Sequence, residues 1–378
     1  MPSLNIVNAP GWYDQEQYMG GTRGHPPAGW DITYDKKSGN EITYFINMGI
    51  EQVHSIESDV KVALISDCRC VVPDFYQKLE NMAHFFDHIV TYDDVLIRHW
   101  PEKVWIQPAG GSFIWPREKW KIYEKTKICS YITSTKCFTG GHFLRVKLLE
   151  YIENSKRSDS EAIREKYQLI DTFGEGHNPL PDVLGKIDAL KDYAFSIAIE
   201  NHESDHYFSE KLIDCFLAGT IPVYLGSKKI SEYFNPDGII FLPDSMWWKP
   251  TSGASSTPFP TDSNLAWWKV VTHDRGCMMV RNHPPGQARP HVFIYPNPRT
   301  AARGVIPLSV PMTGMRDIEK RLQKSKLLSD PAMQIDNILL NLSIEEYDKR
   351  IDAVRENFKI AKNYIDSIGC SLKNNYNK

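Results

Sequence analysis

The chain has 378 residues, which is enough for two domains of ordinary size, each with its own hydrophobic core. Hydrophobic residues make up 42% and charged residues 24% of the chain, values that exclude a disordered or fibrous protein. The formal net charge of -3 provides no chain-wide basic field for a nucleic-acid backbone, so we expect no nucleic acid among the partners.

The cysteines and the N-terminus bear on the cellular compartment. The seven cysteines are odd in number and lack the paired C-x-x-C spacing of a structural zinc site, which favours reduced thiols. The first residues contain no basic n-region and no apolar stretch, and no window of about 18 apolar residues occurs in the chain. The sequence therefore predicts a cytoplasmic protein without a transmembrane segment. It carries no signature of an oligomeric state.

The first 118 residues predict strands and short helices in an irregular order. Short apolar runs predict strands at residues 62–66, 88–92 and 103–107, and residues 75–86 have the spacing of an amphipathic helix. This alternation is typical of a parallel sheet covered by helices. Residues 119–127 are charged and lack periodicity, and we place the end of a first lobe near residue 120.

A clearer alternation follows and predicts a second, Rossmann-like lobe without a G-x-G-x-x-G fingerprint. We predict strands at residues 128–133, 167–173, 194–199, 221–225 and 238–242, with helices at 142–154, 183–190, 210–218 and 230–234. Ser209 is a good N-cap for one of these helices, and Gly219 is a natural stop for it. Residues 243 to about 315 interrupt the pattern, although their tryptophans and valines favour order. Residues 343–368 predict an amphipathic helix.

Two predicted helices of this lobe carry a cation in or near the first turn. Arg145 follows the turn at residues 140–141, and Lys211 follows the Ser209 cap. Because a helix N-terminus carries about half a positive charge, a cation there is tolerated best when an anion binds. Both helices follow strands of one sheet, so their N-termini lie at its carboxyl edge, where α/β folds bind ligands. A diphosphate suits two such sites; ordinary surface charge explains the spacing equally well.

Polar residues beside Lys211 have candidate roles around such an anion. Glu210 is free to accept both hydroxyls of a ribose, and Tyr207 can pack on a nucleotide or hydrogen-bond to it. Glu200 and Asn201 end a predicted buried strand, where they either contact a ligand or cap the next turn. The segment lacks the spacing of a metal-ligand set, so we expect neither a metal nor another cofactor.

The segment from 195 to 226 resembles glycosyltransferase family 10, the α1,3-fucosyltransferases. The similar residues are F-S-I-A-I-E-N at 195–201, D-H-Y-F-S-E-K at 205–211 and A-G-T-I-P-V-Y-L-G at 218–226. A weaker similarity extends over roughly residues 61–242 and includes His142 and Arg145. The final helix is similar to the closing segment of the family.

This resemblance implies an α/β protein of the GT-B type, with two Rossmann-like lobes facing each other across a cleft and a C-terminal helix returning towards the first lobe. It implies inverting transfer of fucose from GDP-fucose to a hydroxyl of a glycan acceptor. The lobes would then be an acceptor-side lobe at residues 1–120, a donor-binding lobe at 121–345 with the insertion at 243–315, and a helical tail at 346–378.

The resemblance also implies roles for individual residues. By motif position, Arg145 and Lys211 are similar to the diphosphate-binding cations of the family, and Tyr207 and Glu210 to its nucleotide-contacting residues. Asn201 is a further donor-binding candidate. Glu200 and His142 are additional candidates for donor contact.

Asp67 is the candidate general base, because it follows the first-lobe strand at residues 62–66. Inverting sugar transfer needs a carboxylate that deprotonates the acceptor hydroxyl. The alternative is an aspartate that caps the next helix or pairs with Arg69. The family usually has a glutamate at this position, so the shorter side chain would need a closer approach of acceptor or backbone.

Two other functions stay open at this point. The first is a GT-B transferase that uses another nucleotide sugar. The second is a non-catalytic carbohydrate-binding protein with the same fold, which the tryptophan-rich insertion and the aspartate at position 67 would suit.

Overall fold

A computed structural model of the chain describes residues 1–7, 29–65, 67–134, 139–174, 180, 183–247, 268–273, 276–281, 292–296, 335–339 and 341–376. The chain forms two compact units. Unit 1 contains Met1–Ser130, Leu180–Ile240 and Ser343–Lys378, and unit 2 contains Tyr131–Pro179 and Phe241–Leu342. The three-part organisation drawn from the sequence stays a prediction.

Unit 1 contains a six-stranded sheet in the order β2-β1-β3-β4-β5-β6. Its strands are β1 Ser3–Val7, β2 Asp31–Tyr34, β3 Asn40–Ile46, β4 Ser58–Leu64, β5 His88–Thr91 and β6 Val104–Ile106. All neighbouring strands pair in parallel, and helices α1 (Pro73–Met82) and α2 (Asp94–His99) follow β4 and β5. Apolar clusters line the sheet, as expected when helices cover a parallel sheet.

A second sheet has five strands in the order β11-β10-β9-β7-β8. Its strands are β7 Lys127–Thr133, β8 Ile170–Gly174, β9 Tyr193–Ile199, β10 Ile221–Leu225 and β11 Ile240–Phe241. Its helices are α3 Gly140–Ser155, α4 Glu161–Gln168 and α5 Glu210–Leu217. Every residue of β9 and β10 is buried, and the two strands pair in parallel. Two largely parallel sheets with helices confirm the predicted α/β class; the two-lobed cleft stays a prediction.

The predicted elements differ from the structure in a few places. The strand predicted to begin at Tyr167 is wrong there, because Tyr167 belongs to α4 and β8 begins only at Ile170. The segments at Val183–Ala189 and Ile230–Glu232 are 3₁₀ helices rather than α-helices. None of the described helices is both long and apolar enough to cross a bilayer.

The insertion at residues 243–315 contains a small antiparallel sheet. Its strands are β12 Trp268–His273, β13 Gly276–Arg281 and β14 Val292–Pro296, in the order β12-β13-β14. The prediction of order is therefore confirmed for these strands. Most of the remaining insertion, including Trp267, lies outside the described residues.

The C-terminal segment contacts two regions of unit 1, the loop at Asn235 and the first sheet at Tyr44. It consists of α6 Ile344–Lys349, α7 Ile351–Ala361 and α8 Ser367–Ser371. The Asn357 side chain accepts from the backbone N–H of Asn235 at 2.8 Å and donates to its carbonyl at 2.9 Å. Further on, the hydroxyls of Ser371 and Tyr44 lie 2.7 Å apart beside the core of the first sheet. The predicted return of the C-terminal helix towards the first sheet is confirmed.

Candidate functional site

The N-terminus of α5 is held by a buried carboxylate behind its N-cap. Glu200 is fully buried at the end of β9 and accepts from the Ser209 N–H at 2.8 Å and the Ser209 hydroxyl at 2.6 Å. The Ser209 oxygen accepts in turn from the backbone N–H of Lys211 at 3.4 Å. Ser209 is thus the N-cap that the sequence predicts. Glu200 fixes the helix start, which is the capping alternative left open above.

Close packing around Glu200 leaves little room beside its side chain. A Cβ atom at Gly226 would lie only 2.6 Å from the Glu200 Cγ atom. The Tyr224 hydroxyl accepts from the N–H of Ser227 at 3.0 Å beside it. The carboxylate of Glu200 is therefore confined to one position, pointing at the start of α5.

Five alternating charges run along α5. Lys186 Nζ lies 3.0 Å from Asp214 Oδ2 and 3.6 Å from Glu210 Oε1. Lys211 Nζ lies 3.3 Å from the same Glu210 oxygen and 3.6 Å from Glu200 Oε2. We call these five residues the ionic chain. Because Lys211 lies between two carboxylates, it is not the uncompensated cation that the helix-end argument assumes.

The ionic chain keeps its central members charged. Burial alone would raise the pKa of Glu210, but Lys211 and Lys186 outweigh burial and lower this pKa to about 2. Burial alone would lower the pKa of Lys186, but the carboxylates of Asp214 and Glu210 outweigh it and raise this pKa above its ordinary value. Glu210 is therefore a carboxylate at any physiological pH, ready to accept hydrogen bonds.

Asp214 is one of the two buried ends of the ionic chain. Its Oδ1 accepts from the Ser112 hydroxyl at 2.7 Å and from the Phe113 N–H at 3.1 Å. Its side chain is 1% exposed, whereas those of Glu210 and Lys211 are each 22% exposed. The ionic chain is therefore buried at both ends, Asp214 and Glu200, and partly open between them at Glu210 and Lys211, where a ligand can make contact.

Tyr207 is packed inside unit 1 and not on its surface. It is 4% exposed, and its ring centroid lies 4.8 Å from that of Tyr92 at the end of β5. Cys68, which follows β4, is buried in the same cluster. Burial raises the pKa of Tyr207 well above its ordinary value, so its hydroxyl stays protonated. Tyr207 joins the carboxyl edge of the first sheet to the segment before α5.

Asp67 lies at this same edge, three residues after the end of β4, and its role as a base stays a prediction. Its carbonyl accepts from the Tyr76 hydroxyl at 2.9 Å, which fixes the backbone after β4. Arg69 binds two carboxylates: it donates hydrogen bonds of 2.7 and 2.9 Å to Asp93 and contacts Glu80 at 2.6 Å. Asp67 and the segment from Glu200 to Lys211 both belong to unit 1.

Arg145 and His142 belong to unit 2, on α3. The helix begins at Gly140 behind a Thr139 N-cap, so Arg145 lies in its second turn rather than its first. Arg145 is 5% exposed, and its carbonyl accepts from the Tyr131 hydroxyl at 2.8 Å. His142 Nδ1 lies 2.7 Å from the Thr139 hydroxyl, which makes it part of the helix cap. The joint action of Arg145 and Lys211 stays a prediction.

Sequence reasoning missed Lys186, Asp214 and Ser112. Lys186 lies on a 3₁₀ helix 24 residues before Glu210, and Ser112 lies in a loop, so no local spacing links them. Asp214 offers a signal: it is a buried charge among Leu212, Ile213, Cys215 and Phe216 on an apolar helix face. Such a charge requires a partner, although the sequence does not name it. Asn201 is half-buried at the end of β9.

Residues 149–244 match the family model described as glycosyltransferase family 10 (fucosyltransferase) C-term. The resemblance to family 10 is confirmed for this segment. The family 10 segment includes five of the candidate residues, namely Glu200, Asn201, Tyr207, Glu210 and Lys211. Asp67, His142 and Arg145 lie before it.

Two proteins described as fucosyltransferases are similar to part of this chain. A putative fucosyltransferase-like protein of Arabidopsis thaliana is 36% identical over 73 residues, which are 19% of this chain and 14% of that protein. The α-(1,3)-fucosyltransferase FucT of Helicobacter pylori is 35% identical over 63 residues, which are 17% of this chain and 13% of that protein. The similarity thus spans about one seventh of either relative.

Solved structures of an α1,3-fucosyltransferase are distant neighbours of this chain. One has a TM-score of 0.40 and 16% identity, over 64% of this chain and 74% of that chain. A structure described as containing GDP-fucose has a TM-score of 0.38 and 14% identity over the same shares. Scores of this size do not establish a common fold.

Proposed function

We propose that this protein is an inverting glycosyltransferase of the fucosyltransferase type, which transfers fucose from GDP-fucose to a hydroxyl of a glycan. The observation that supports it most is the ionic chain at the start of α5, inside the family 10 segment. There an ionised carboxylate and an ammonium group are both partly open to solvent, which suits the ribose and the diphosphate of a nucleotide.

The charges of the ionic chain support a second cation in the donor site. Its carboxylates outnumber its ammonium groups by one, so Lys211 alone offers an incoming diphosphate little net attraction. We assign the missing charge to Arg145, whose guanidinium can fork across two phosphate oxygens. These two cations would neutralise the leaving diphosphate, and the proposed transfer therefore needs no metal ion.

Asp67 is the proposed base of the transfer. The acceptor hydroxyl gives its proton to the Asp67 carboxylate while its oxygen bonds to the anomeric carbon of fucose. The bond from that carbon to the diphosphate breaks in the same step, and GDP leaves with the electron pair. Attack from the face opposite to GDP inverts the anomeric carbon. Hydrogen bonding of the Asp67 carbonyl to Tyr76 would keep the base in register with the end of β4.

Thermal shift with GDP and UDP tests the choice of nucleotide. We expect GDP to raise the melting temperature and UDP to leave it unchanged. Stabilisation by UDP alone would instead favour a transferase with another nucleotide sugar. Release of GDP from GDP-fucose, measured with and without a panel of glycans, tests catalysis. GDP binding without any release would favour the carbohydrate-binding alternative.

Substitution of Asp67 separates catalysis from binding. In Asp67→Asn we expect transfer to fall by a factor of about 10² or more, because general base catalysis contributes about 10² to 10⁴. The affinity for GDP should not change. Asp74→Asn, a substitution in the first turn of α1, is the control and should transfer normally. Normal transfer by Asp67→Asn would remove Asp67 from the reaction.

A further inference from the structure

Lys186 has the geometry of a residue that acts on the ligand through Glu210. Its side chain is 12% exposed, and its ammonium group lies 3.6 Å from the Glu210 carboxylate. Asp214 at 3.0 Å holds that ammonium group from the other side, and the Phe113 ring lies 5.1 Å from it. Lys186 is thus fixed on three sides.

We propose that Lys186 is a positioning residue that holds the Glu210 carboxylate in place to accept the ribose hydroxyls of the nucleotide donor. This inference rests on the proposed function, because it takes a nucleotide as the ligand of α5. The chemical class it specifies is a ribonucleoside diphosphate, as opposed to a deoxyribonucleoside diphosphate.

The geometry requires such a residue, because Glu210 lies at the first position of α5 with two neighbours competing for it. Lys211 lies 3.3 Å from Glu210 Oε1 and is also the proposed phosphate ligand. In a protein without Lys186, Lys211 would be the only ammonium partner of Glu210 among the described residues. Glu210 would then have no such partner once Lys211 turned to the diphosphate. With Lys186 present, Glu210 keeps a fixed counter-ion while Lys211 is engaged by phosphate.

The charge environment of Glu210 gives this role a pH signature. Among the residues that the structure describes, the groups that face Glu210 are Lys186, Lys211, Tyr207 and Asp214, together with the Ser209 cap of its own helix. Burial raises the pKa of Glu210, and the two lysines lower it to about 2. Loss of one lysine lets burial raise that pKa, so that mild acid protonates Glu210 and removes an acceptor for the ribose hydroxyls.

The test compares the dissociation constants of GDP and 2′,3′-dideoxy-GDP by calorimetry between pH 8 and pH 5. In the wild type we expect the dideoxy compound to bind roughly 10- to 150-fold more weakly, as for loss of a charge-assisted hydrogen bond, at every pH. In Lys186→Met this ratio should fall to within about threefold as the pH falls to 5. Lys186→Arg should restore it.

Lys191→Met is the matched control, because it removes a lysine that pairs with Asp188 at the surface five residues further on. It should keep the wild-type ratio at every pH. A Lys186→Met protein that also keeps that ratio at pH 5 would overturn the role of Lys186, while leaving the proposed function intact. A wild type that does not bind GDP would contradict the proposed function and this inference with it.

If Lys186→Met does not fold, the wild type still tests the ionised Glu210 on which this role depends. A ratio that stays constant from pH 8 to pH 5 in the wild type supports a Glu210 held ionised by both lysines. A ratio that collapses in the wild type as the pH falls to 5 contradicts it. A merely structural Lys186 would change the melting temperature without changing the pH dependence of ribose discrimination.

Discussion

Two lysines pack against α5 at opposite ends, and their partners differ in kind. Lys186, beside the first two turns, faces the carboxylates of Glu210 and Asp214. Lys125, beside the last turn, is 9% exposed and donates to the carbonyls of Lys191 at 3.0 Å and Ala218 at 2.9 Å. It also donates to the Thr220 hydroxyl at 3.0 Å.

The two lysines show that carboxylate partners and carbonyl partners have opposite effects on the pKa of a buried lysine. Burial lowers the pKa of Lys125 to about 7, because carbonyl dipoles compensate only part of the lost hydration. The pKa of Lys186 is raised despite burial, because two full negative charges face it. Lys125 therefore holds backbone in place, whereas Lys186 takes part in a charged network that reaches the partly open start of α5.

The largest effect on stability should come from Lys125. In Lys125→Met, buried carbonyls at the ends of α5 and of the segment before β9 lose their donor, and each such group costs about 1 to 3 kcal/mol. The substitution also removes a buried ammonium group and its desolvation penalty, which offsets part of that cost. We therefore expect the free energy of unfolding to fall by about 2 to 3 kcal/mol. Urea denaturation followed by circular dichroism measures it.

The exposed Lys127, two residues further along the chain, gives the control for this change. Lys127→Met should change the free energy of unfolding by less than about 0.5 kcal/mol. The folded Lys125→Met protein should bind GDP like the wild type. A large loss of GDP affinity in Lys125→Met would mean that the two ends of α5 are not independent.

Lys211 should show the opposite pattern, with the effect on binding rather than on stability. Lys211→Ala should weaken GDP binding by about 1.5 to 3 kcal/mol, as for loss of a charge-assisted hydrogen bond. Lys228→Ala removes an ammonium whose side chain is 52% exposed and which pairs with Glu203, so it should leave the affinity unchanged. Titration calorimetry compares them, and equal affinities in all three proteins would refute a phosphate ligand at Lys211.

Local signals in the sequence predicted the bounds of α5 and β10. Ser209 and Gly219 bracket α5 as expected, since Gly219 has a φ of +67° and a Cβ there would lie 2.7 Å from the Ile122 Cα. Strand β10 begins and ends where the apolar run does. Caps and buried runs depend on neighbouring residues alone, so the sequence contains their full signal.

Features that depend on distant residues were harder to predict. The strand β1 was missed because Asn5 interrupts its apolar run, yet Asn5 is fully buried and hydrogen-bonds to Lys36 and Thr43. Tyr167 was assigned to a strand, because the charged stretch before it hides the helical spacing of Ile163 and Tyr167. Lys186 was missed because its partners come together only in the folded chain.

The pH dependence of stability sharpens the contrast between the lysines. The folded-state pKa of Lys125, about 7, lies below the value of 10.5 for an unfolded lysine. Between these two pH values the unfolded chain binds more protons at this site, so its contribution to stability rises with pH. The difference in unfolding free energy between the wild type and Lys125→Met should therefore grow from pH 7 to pH 9. Urea titrations at both pH values measure it, and a difference that shrinks would contradict the lowered pKa.

A smaller change of stability with pH is expected at Asp366. This buried carboxylate accepts from backbone N–H groups, just as Lys125 donates to backbone carbonyls. Burial raises its pKa to about 7, and the N–H of Ile368 donates to it at 3.0 Å. Glu210, with two lysines, shows the reverse shift, to about 2. Between pH 4 and pH 7 the folded chain binds more protons at Asp366 than the unfolded chain, so this contribution to stability falls as the pH rises.

Asp366→Asn isolates that contribution, because an asparagine oxygen can still accept from Ile368. We expect the wild type to lose stability relative to Asp366→Asn as the pH rises from 4 to 7, measured by urea denaturation. A constant difference would mean that Asp366 remains ionised in the fold throughout this range. Backbone dipoles would then stabilise a buried carboxylate as well as lysines do. The contrast between dipole partners at Lys125 and charged partners at Lys186 would not extend to carboxylates.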